Sequence, residues 1–278
     1  MLALGIETSN RLGSVGVVEC PGTSPGGSGD VVLADVTRDS ELRHGAALPG
    51  LLDEALASAG RDLAEVEVVA VSIGPGSFTG LRVALATAKG LVLGTSVRLV
   101  GVPTLAALAE AALARLLAAG REIAPGALLA PCLDARRGEV YGAMFAVPGS
   151  PSGAQPDEGA ESRSPAVSAT GSSLLPVEPP GAFEPAAFGR VVAERAAGHA
   201  AFVFGEGASR YRDAIEAAIV GRAAILDEAA GAPSGVAVAR LGARGGGSPG
   251  DAACLEPFYV RASEAERNRA AALAPRES

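Results

Sequence analysis

The stretch from Val68 to Gly94, VVAVSIGPGSFTGLRVALATAKGLVLG, constrains the fold more than any other part of the chain. It opens as an apolar run, Val68 to Ile73, rich in β-branched residues, which reads as a buried strand. Gly74-Pro75-Gly76 breaks that strand, because Gly admits unusual φ and Pro fixes its own. Ser77 or Thr79 is placed to cap the helix that follows, from about Gly80 to Leu93. Only Arg82 and Lys89 carry charge on that helix, and a helix apolar on every side is buried on every side. Gly80, Ala84 and Ala88 at spacing four, with Ala86 and Gly90, leave room for another helix to come close. One flank must cover a sheet, so the other asks for a second partner. Lys89 is the sole lysine of the chain, and it is either chance or a position that wants a compact ammonium.

The flanking segments supply the sheet. Leu2–Glu7, Ser14–Cys20 and Val31–Thr37 read as three strands, the last two joined by the Gly/Ser/Pro-rich loop 21–30. Ser40 to Ala59 reads as a helix with one apolar stripe at 48, 51, 52, 55, 56 and 59, and Pro49 belongs in its first turn or kinks it. Arg98–Val102 is a strand and Leu105–Ala119 a helix. The order β-β-β-α-β-α-β means an antiparallel start followed by crossovers, hence a mixed sheet. The second half repeats the pattern more weakly: strands at 127–134 and 139–147, a helix at 188–197, a strand at 201–204, a helix at 208–220, a short strand at 222–226 and a short helix at 236–243. Between them lies 148–180, more than half Pro, Gly or Ser, which reads as a low-complexity insert. The expected division is 1–103 and 104–261, followed by a tail over 262–278.

Composition narrows the function. The 278 residues carry a net charge of −8, which argues against a chain that grips nucleic acid alone. With 4% aromatic residues and no Trp, the core must be Ala, Val and Leu. Cys20, Cys132 and Cys254 show neither pairing nor metal spacing, which suits a reducing compartment. The N-terminal apolar run is too short for a signal peptide or a span, so a cytoplasmic protein is expected.

Candidate chemistry is sparse. Glu7-Thr8-Ser9 puts an acid and two hydroxyls at a strand end, a turn able to hold a phosphate with Mg²⁺ or simply to cap itself. Gly205-x-Gly207 after a strand is a weak nucleotide signal. Gly74–Gly80 precedes a helix but lacks the Gly-Lys-Ser/Thr of a P-loop. His44 and His199, the only histidines, have no i+3 or i+4 partner and form no helix-borne metal pair. Asp134, Arg136, Arg137 and Glu139 gather charge on one hairpin, where mutual salt bridging is the default.

Five motifs carry a family resemblance: ALGIETSNRLGSVGVV, GPGSFTGLRVALATAKGLVLG, LVGVPTLAALA, LDARRGEVY and the closing EPFYVR. In that order they resemble the TsaB (YeaZ) family, over most of the chain. The resemblance implies an α/β actin/Hsp70/sugar-kinase (ASKHA) fold with two βββαβα-type subdomains. It implies a non-catalytic scaffold subunit that pairs with a TsaD-like paralogue, which carries the metal and ATP site and transfers threonylcarbamoyl to adenosine 37 of ANN-reading tRNAs. A TsaE-like ATPase joins that complex, tRNA is reached only through it, and this chain self-associates when alone. ATP, Mg²⁺ and metal are expected on the partners, with none held firmly here. By resemblance, the partner surface falls on His44, Leu48, Leu51, Phe78, Gly80, Arg82, Ala84, Ala88 and Lys89. Glu7 replaces the family's usual aspartate at the end of the first strand. The competing expectation is an ATP-dependent kinase or phosphohydrolase of the same fold, using Glu7, Thr8, Ser9, Gly205 and Gly207.

Overall fold

The computed structural model describes residues 1–21, 29–39, 44–149, 173–245 and 254–260. The chain builds the same unit twice. The first unit runs β1 (Leu2–Glu7), β2 (Leu12–Glu19), β3 (Val31–Asp39), α1 (His44–Ala59), β4 (Val68–Gly74), α2 (Phe78–Val92), β5 (Arg98–Pro103) and α3 (Thr104–Ala118). The second runs β6 (Leu128–Arg136), β7 (Glu139–Ala146), β8 (Leu175–Phe183), α4 (Pro185–Ala196), β9 (Ala201–Phe204), α5 (Glu206–Arg210), α6 (Arg212–Ile219), β10 (Ala224–Ile225) and α7 (Gly235–Arg244). Their sheets share one topology, β3-β2-β1-β4-β5 and β8-β7-β6-β9-β10. The meander pairs antiparallel and the crossovers parallel, as the element order requires.

Strand alternation decides which helix lies where. Leu2, Leu4 and Ile6 of β1 point to the side covered by α1 and α2, with Val69 and Val71 of β4. Ala3, Val68 and Val100 point the other way, against α7. The last helices are exchanged between units. Helix α7, from the second, seals the first sheet, while α3 packs its Leu and Ala face on Leu129, Leu133 and Phe145 of the second. Contact with α7 is backbone to backbone. A Cβ on Gly5 would lie 2.0 Å from the Gly235 carbonyl oxygen, and one on Gly16 would lie 2.3 Å from the Val236 nitrogen. The Gly235 amide also donates to Ser14 Oγ (2.8 Å).

Three elements differ from the sequence reading. Leu175–Phe183, most of which reads as low-complexity insert, is strand β8. It lies at the sheet edge and pairs only with β7, which is where a strand with Pro176, Pro179 and Pro180 tolerates missing donors. The helix read over 208–220 is two, broken at Tyr211, which adopts φ −114°. Pro49 sits in the second turn of α1, exposed. The loop 22–28, residues 40–43, most of the insert, 246–253 and the tail from 261 lie outside the described residues. Among the described residues no helix is long and apolar enough to cross a membrane.

Candidate functional site

The Glu7 turn faces inward. Glu7 is 1% exposed; its Oε1 accepts the Ser9 amide (2.6 Å), and the Ser72 hydroxyl donates to Oε2. The Thr8 hydroxyl donates to the Gly80 carbonyl (2.9 Å), and the Ser77 amide donates to the Ser9 carbonyl (2.5 Å). A Cβ on Gly76 would sit 2.5 Å from the Ser9 carbonyl oxygen, and one on Gly80 would sit 2.1 Å from that of Thr8. The glycines of the GPGSFTG motif therefore let the β4–α2 turn lie directly on the β1–β2 turn. Burial pushes the Glu7 carboxyl above the ordinary carboxylate range, partly offset by its bonds from Ser72 and Ser9. The acid and the Thr8 hydroxyl thus join two turns. The Ser9 hydroxyl is buried without a hydrogen-bond partner.

The Gly205 turn is equally closed. Gly205 has φ +105°, and a Cβ there would meet the Cys132 carbonyl oxygen at 2.4 Å. A Cβ on Gly207 would meet Leu133 at 2.9 Å, and one on Gly231 would meet the Gly205 nitrogen at 2.3 Å. These glycines seat α5 on β6 and bring Gly231 close to Gly205.

Charge does converge on the β6–β7 hairpin. Asp134 is buried; its Oδ1 accepts the Arg136 amide (2.9 Å) and the Tyr211 hydroxyl (3.2 Å). Arg136 and Arg210 hold its Oδ2 at 3.2 and 3.5 Å. Arg136 and Arg137 adopt left-handed φ of 62° and 57°, and the Asp134 carboxylate helps hold that turn. Burial raises the Glu206 carboxyl, opposed by Arg136, Arg11 and Arg210. A cavity of about 470 Å³ between β3, α3 and α7 is similarly balanced. Arg244 and Arg240 face Asp30 at 2.7 and 3.5 Å, and Arg115 donates to the Ala230 and Ala232 carbonyls. Burial pushes the Cys20 thiol up to about 11 and that of Cys132 higher still, so neither is a ready nucleophile. Among the described residues no three His, Cys, Asp or Glu side chains gather as a metal site. His199 lies against Gly126, and the side chain of His44 lies outside the described residues.

The outer surface of α1 and α2 differs in character. The residues expected there divide into two sets. Leu48, Leu51, Gly80, Ala84 and Ala88 are buried between the helices, the first sheet and the β1–β2 turn, which corrects the face on which the small residues were placed. The spacing-four row lets α2 lie close to its own sheet, not to a stranger. Phe78, Arg82 and Lys89 remain at the surface with Ala86 and Gly90. On α1 the matching surface shows Pro49, Gly50, Asp53, Glu54 and Ala57. Gly50 and Gly90 have nothing within 4 Å of where a Cβ would stand. Ser77 caps α2, its Oγ accepting the Gly80 amide (3.2 Å).

The closing segment joins this surface. The Phe258 amide donates to the Ile73 carbonyl (2.7 Å), and Tyr259 reaches α2. Its ring lies 5.4 Å from that of Phe78, and its hydroxyl accepts from Arg82 Nε (3.0 Å). The Arg82 guanidinium sits 3.8 Å over the Phe78 ring. Sequence reasoning singles out EPFYVR as a motif but has no signal for where it docks.

Known proteins agree with this architecture. The model of the family described as "TsaD: tRNA N6-adenosine threonylcarbamoyltransferase" matches residues 36–266. The tRNA threonylcarbamoyladenosine biosynthesis protein TsaB of Escherichia coli is 36% identical over 95 residues, 34% of this chain and 38% of that protein. A tRNA N6-adenosine threonylcarbamoyltransferase of Solidesulfovibrio magneticus is 37% identical over 144 residues, 46% of this chain and 35% of that one. The chain thus spans little more than a third of the curated relatives it matches. A Pseudomonas aeruginosa structure described as similar to peptidase YEAZ superposes with a TM-score of 0.64, at 22% identity, over 94% of this chain and 99% of that one. The fold is of the ASKHA type, and the chain belongs to the family described as TsaD, tRNA N6-adenosine threonylcarbamoyltransferase, with TsaB and YEAZ proteins among those it resembles.

Proposed function

We propose that this chain is a non-catalytic subunit that binds and stabilises a TsaD-like paralogue in the machinery that adds threonylcarbamoyl to adenosine 37 of ANN-reading tRNAs. The observation that carries the reading is the α1–α2 surface. An exposed glycine inside a helix costs about 1 kcal/mol relative to alanine. Gly50 and Gly90 have open space where a side chain would stand and make no internal contact that needs their absence of one. With Ala57 and Ala86 they leave a side-chain-poor surface beside the half-exposed Phe78, suited to close helix–helix approach. The Glu7 turn spends its acid and its Thr8 hydroxyl on the chain's own groups, which favours this reading over a nucleotide site there. In this reading ATP, metal and tRNA are handled by the partners, a TsaE-like ATPase joins them, and the same surface pairs two copies when the paralogue is absent.

The test is light scattering after size exclusion, with the full chain alone and mixed with the TsaD-like protein of the same cell. A 1:1 complex replacing a self-dimer is the expected result. Ala86→Glu, on the exposed face, should abolish it with unchanged melting, since an unpaired buried charge costs about 3–5 kcal/mol. No complex, even with ATP and the TsaE-like ATPase present, overturns the proposal. Heat on titrating ATP and Mg²⁺ into the isolated chain would then favour the kinase reading.

A further inference from the structure

We infer that the closing segment Leu255–Tyr259 is part of the partner-facing surface, where Tyr259 and Phe78 hold the Arg82 guanidinium as an anchor for a carboxylate on a helix of the paralogue. The inference rests on the proposed pairing and adds to it the residues that orient it. Helix α7 lies on one side of the first sheet, and α2 lies on the other. The closing segment lies on the α2 side, over β4 and β5. Leu255 sits against Gly101, and the Phe258 carbonyl lies where a Cβ on Gly74 would stand. The Phe258 amide donates a hydrogen bond to the Ile73 carbonyl at the end of β4 (2.7 Å). The segment therefore arrives at α2 with its backbone already fixed.

What it fixes is Arg82. One donor, Nε, is taken by the Tyr259 hydroxyl at 3.0 Å, and one face of the guanidinium lies on Phe78 at 3.8 Å. The two terminal nitrogens form the fork that pairs with a carboxylate. Ordering a long side chain before association lowers the entropy lost on binding. The partner's chemistry follows from the fork itself: a planar guanidinium presenting two terminal nitrogens selects a carboxylate, and α2 brings no acidic residue of its own to fill it. Phe78, 42% exposed, supplies an apolar rim beside the fork, and aromatic–Arg groupings are where binding energy concentrates.

The experiment measures calorimetric affinity of the full chain for the TsaD-like protein, with melting temperature as the folding control. Arg82→Ala should weaken binding about 30-fold and flatten its salt dependence. Arg82→Lys should recover only part of it, because the fork is lost while the charge stays. Tyr259→Phe removes one hydroxyl and should cost about fivefold. Wild-type binding that is unchanged in both Arg82→Ala and Tyr259→Phe overturns this inference and leaves the pairing standing. Variants that weaken only the self-dimer also overturn it, and would assign the anchor to a second copy. Failure of the wild-type chain to bind overturns the pairing and the anchor together.

Discussion

The two sides of the first sheet use glycine for opposite ends. On the α7 side, Gly5, Gly16, Gly235 and Gly242 stand where any Cβ would strike a neighbour at 2.0 to 2.3 Å. Each missing side chain there is filled by another part of the same chain. On the outer surface of α1 and α2, Gly50 and Gly90 have nothing within 4 Å. The first set closes the molecule on itself, and the second leaves a bare surface that the chain alone does not use. The proposed pairing would give these residues, which cost helix stability and gain no internal contact, a reason outside the monomer. The same contrast separates Ala88, wholly buried, from Ala86, exposed two positions away on the same helix.

The largest effect that would break this contrast is on the inner side. In Gly235→Val the new Cβ meets the Gly16 nitrogen at 2.3 Å, and both partners are backbone. Neither can retreat without parting α7 from β2 and losing the Ser14–Gly235 bond. We expect a loss of about 3 kcal/mol or more in urea unfolding. A variant as stable as wild type would mean that α7 is not locked on the sheet. On the outer side the sign reverses. Gly90→Ala adds a methyl in open space and removes backbone freedom from the unfolded chain, so the isolated protein should gain about 0.5–1 kcal/mol. The same variant should bind the TsaD-like protein more weakly. If it gained stability and lost no affinity, Gly90 would not be an interface position.

Much of this is legible in the sequence, and what is not has a physical cause. The strands and α1 follow from periodicity, since the stripe at 48, 51, 52 and 55 is the buried one. Apolar character all round α2 reports burial but not its owner, so Ala84 and Ala88 look like partner residues when the chain's own sheet takes them. Composition reads 175–180 as insert because proline argues against strands, and only the edge position makes three prolines tolerable. The destination of α7 is invisible locally; its glycines at 235 and 242 gain meaning only beside Gly5, Gly16 and Ala70. Glu7 reads as facing a ligand because acids seldom point inward, yet Ser72 and the Ser9 amide satisfy it inside.

That buried acid gives the smallest effect and the finest separation of the two sides. Glu7 holds its proton more tightly folded than unfolded, because burial disfavours the charged form. Between its unfolded pKa of about 4.3 and its higher folded value, the unfolded chain therefore binds fewer protons than the native one. Its contribution is fully present below the unfolded pKa and is lost as pH rises through the folded one. Each tenfold difference in proton affinity between the two states is worth about 1.4 kcal/mol. Glu7→Gln keeps an oxygen for the Ser9 amide, offers an N–H to Ser72 and removes the titration. Asp35, also raised by burial, titrates in both proteins, so the difference between them isolates Glu7. Urea unfolding across about pH 4 to 8 should show the variant gaining on wild type as pH rises. A difference that stays constant would mean that the Glu7 carboxyl is not raised. Affinity for the paralogue should ignore this substitution at every pH, because Glu7 lies under the β4–α2 turn and not on the outer surface. A pH-dependent difference in affinity would instead join the two sides into one coupled unit.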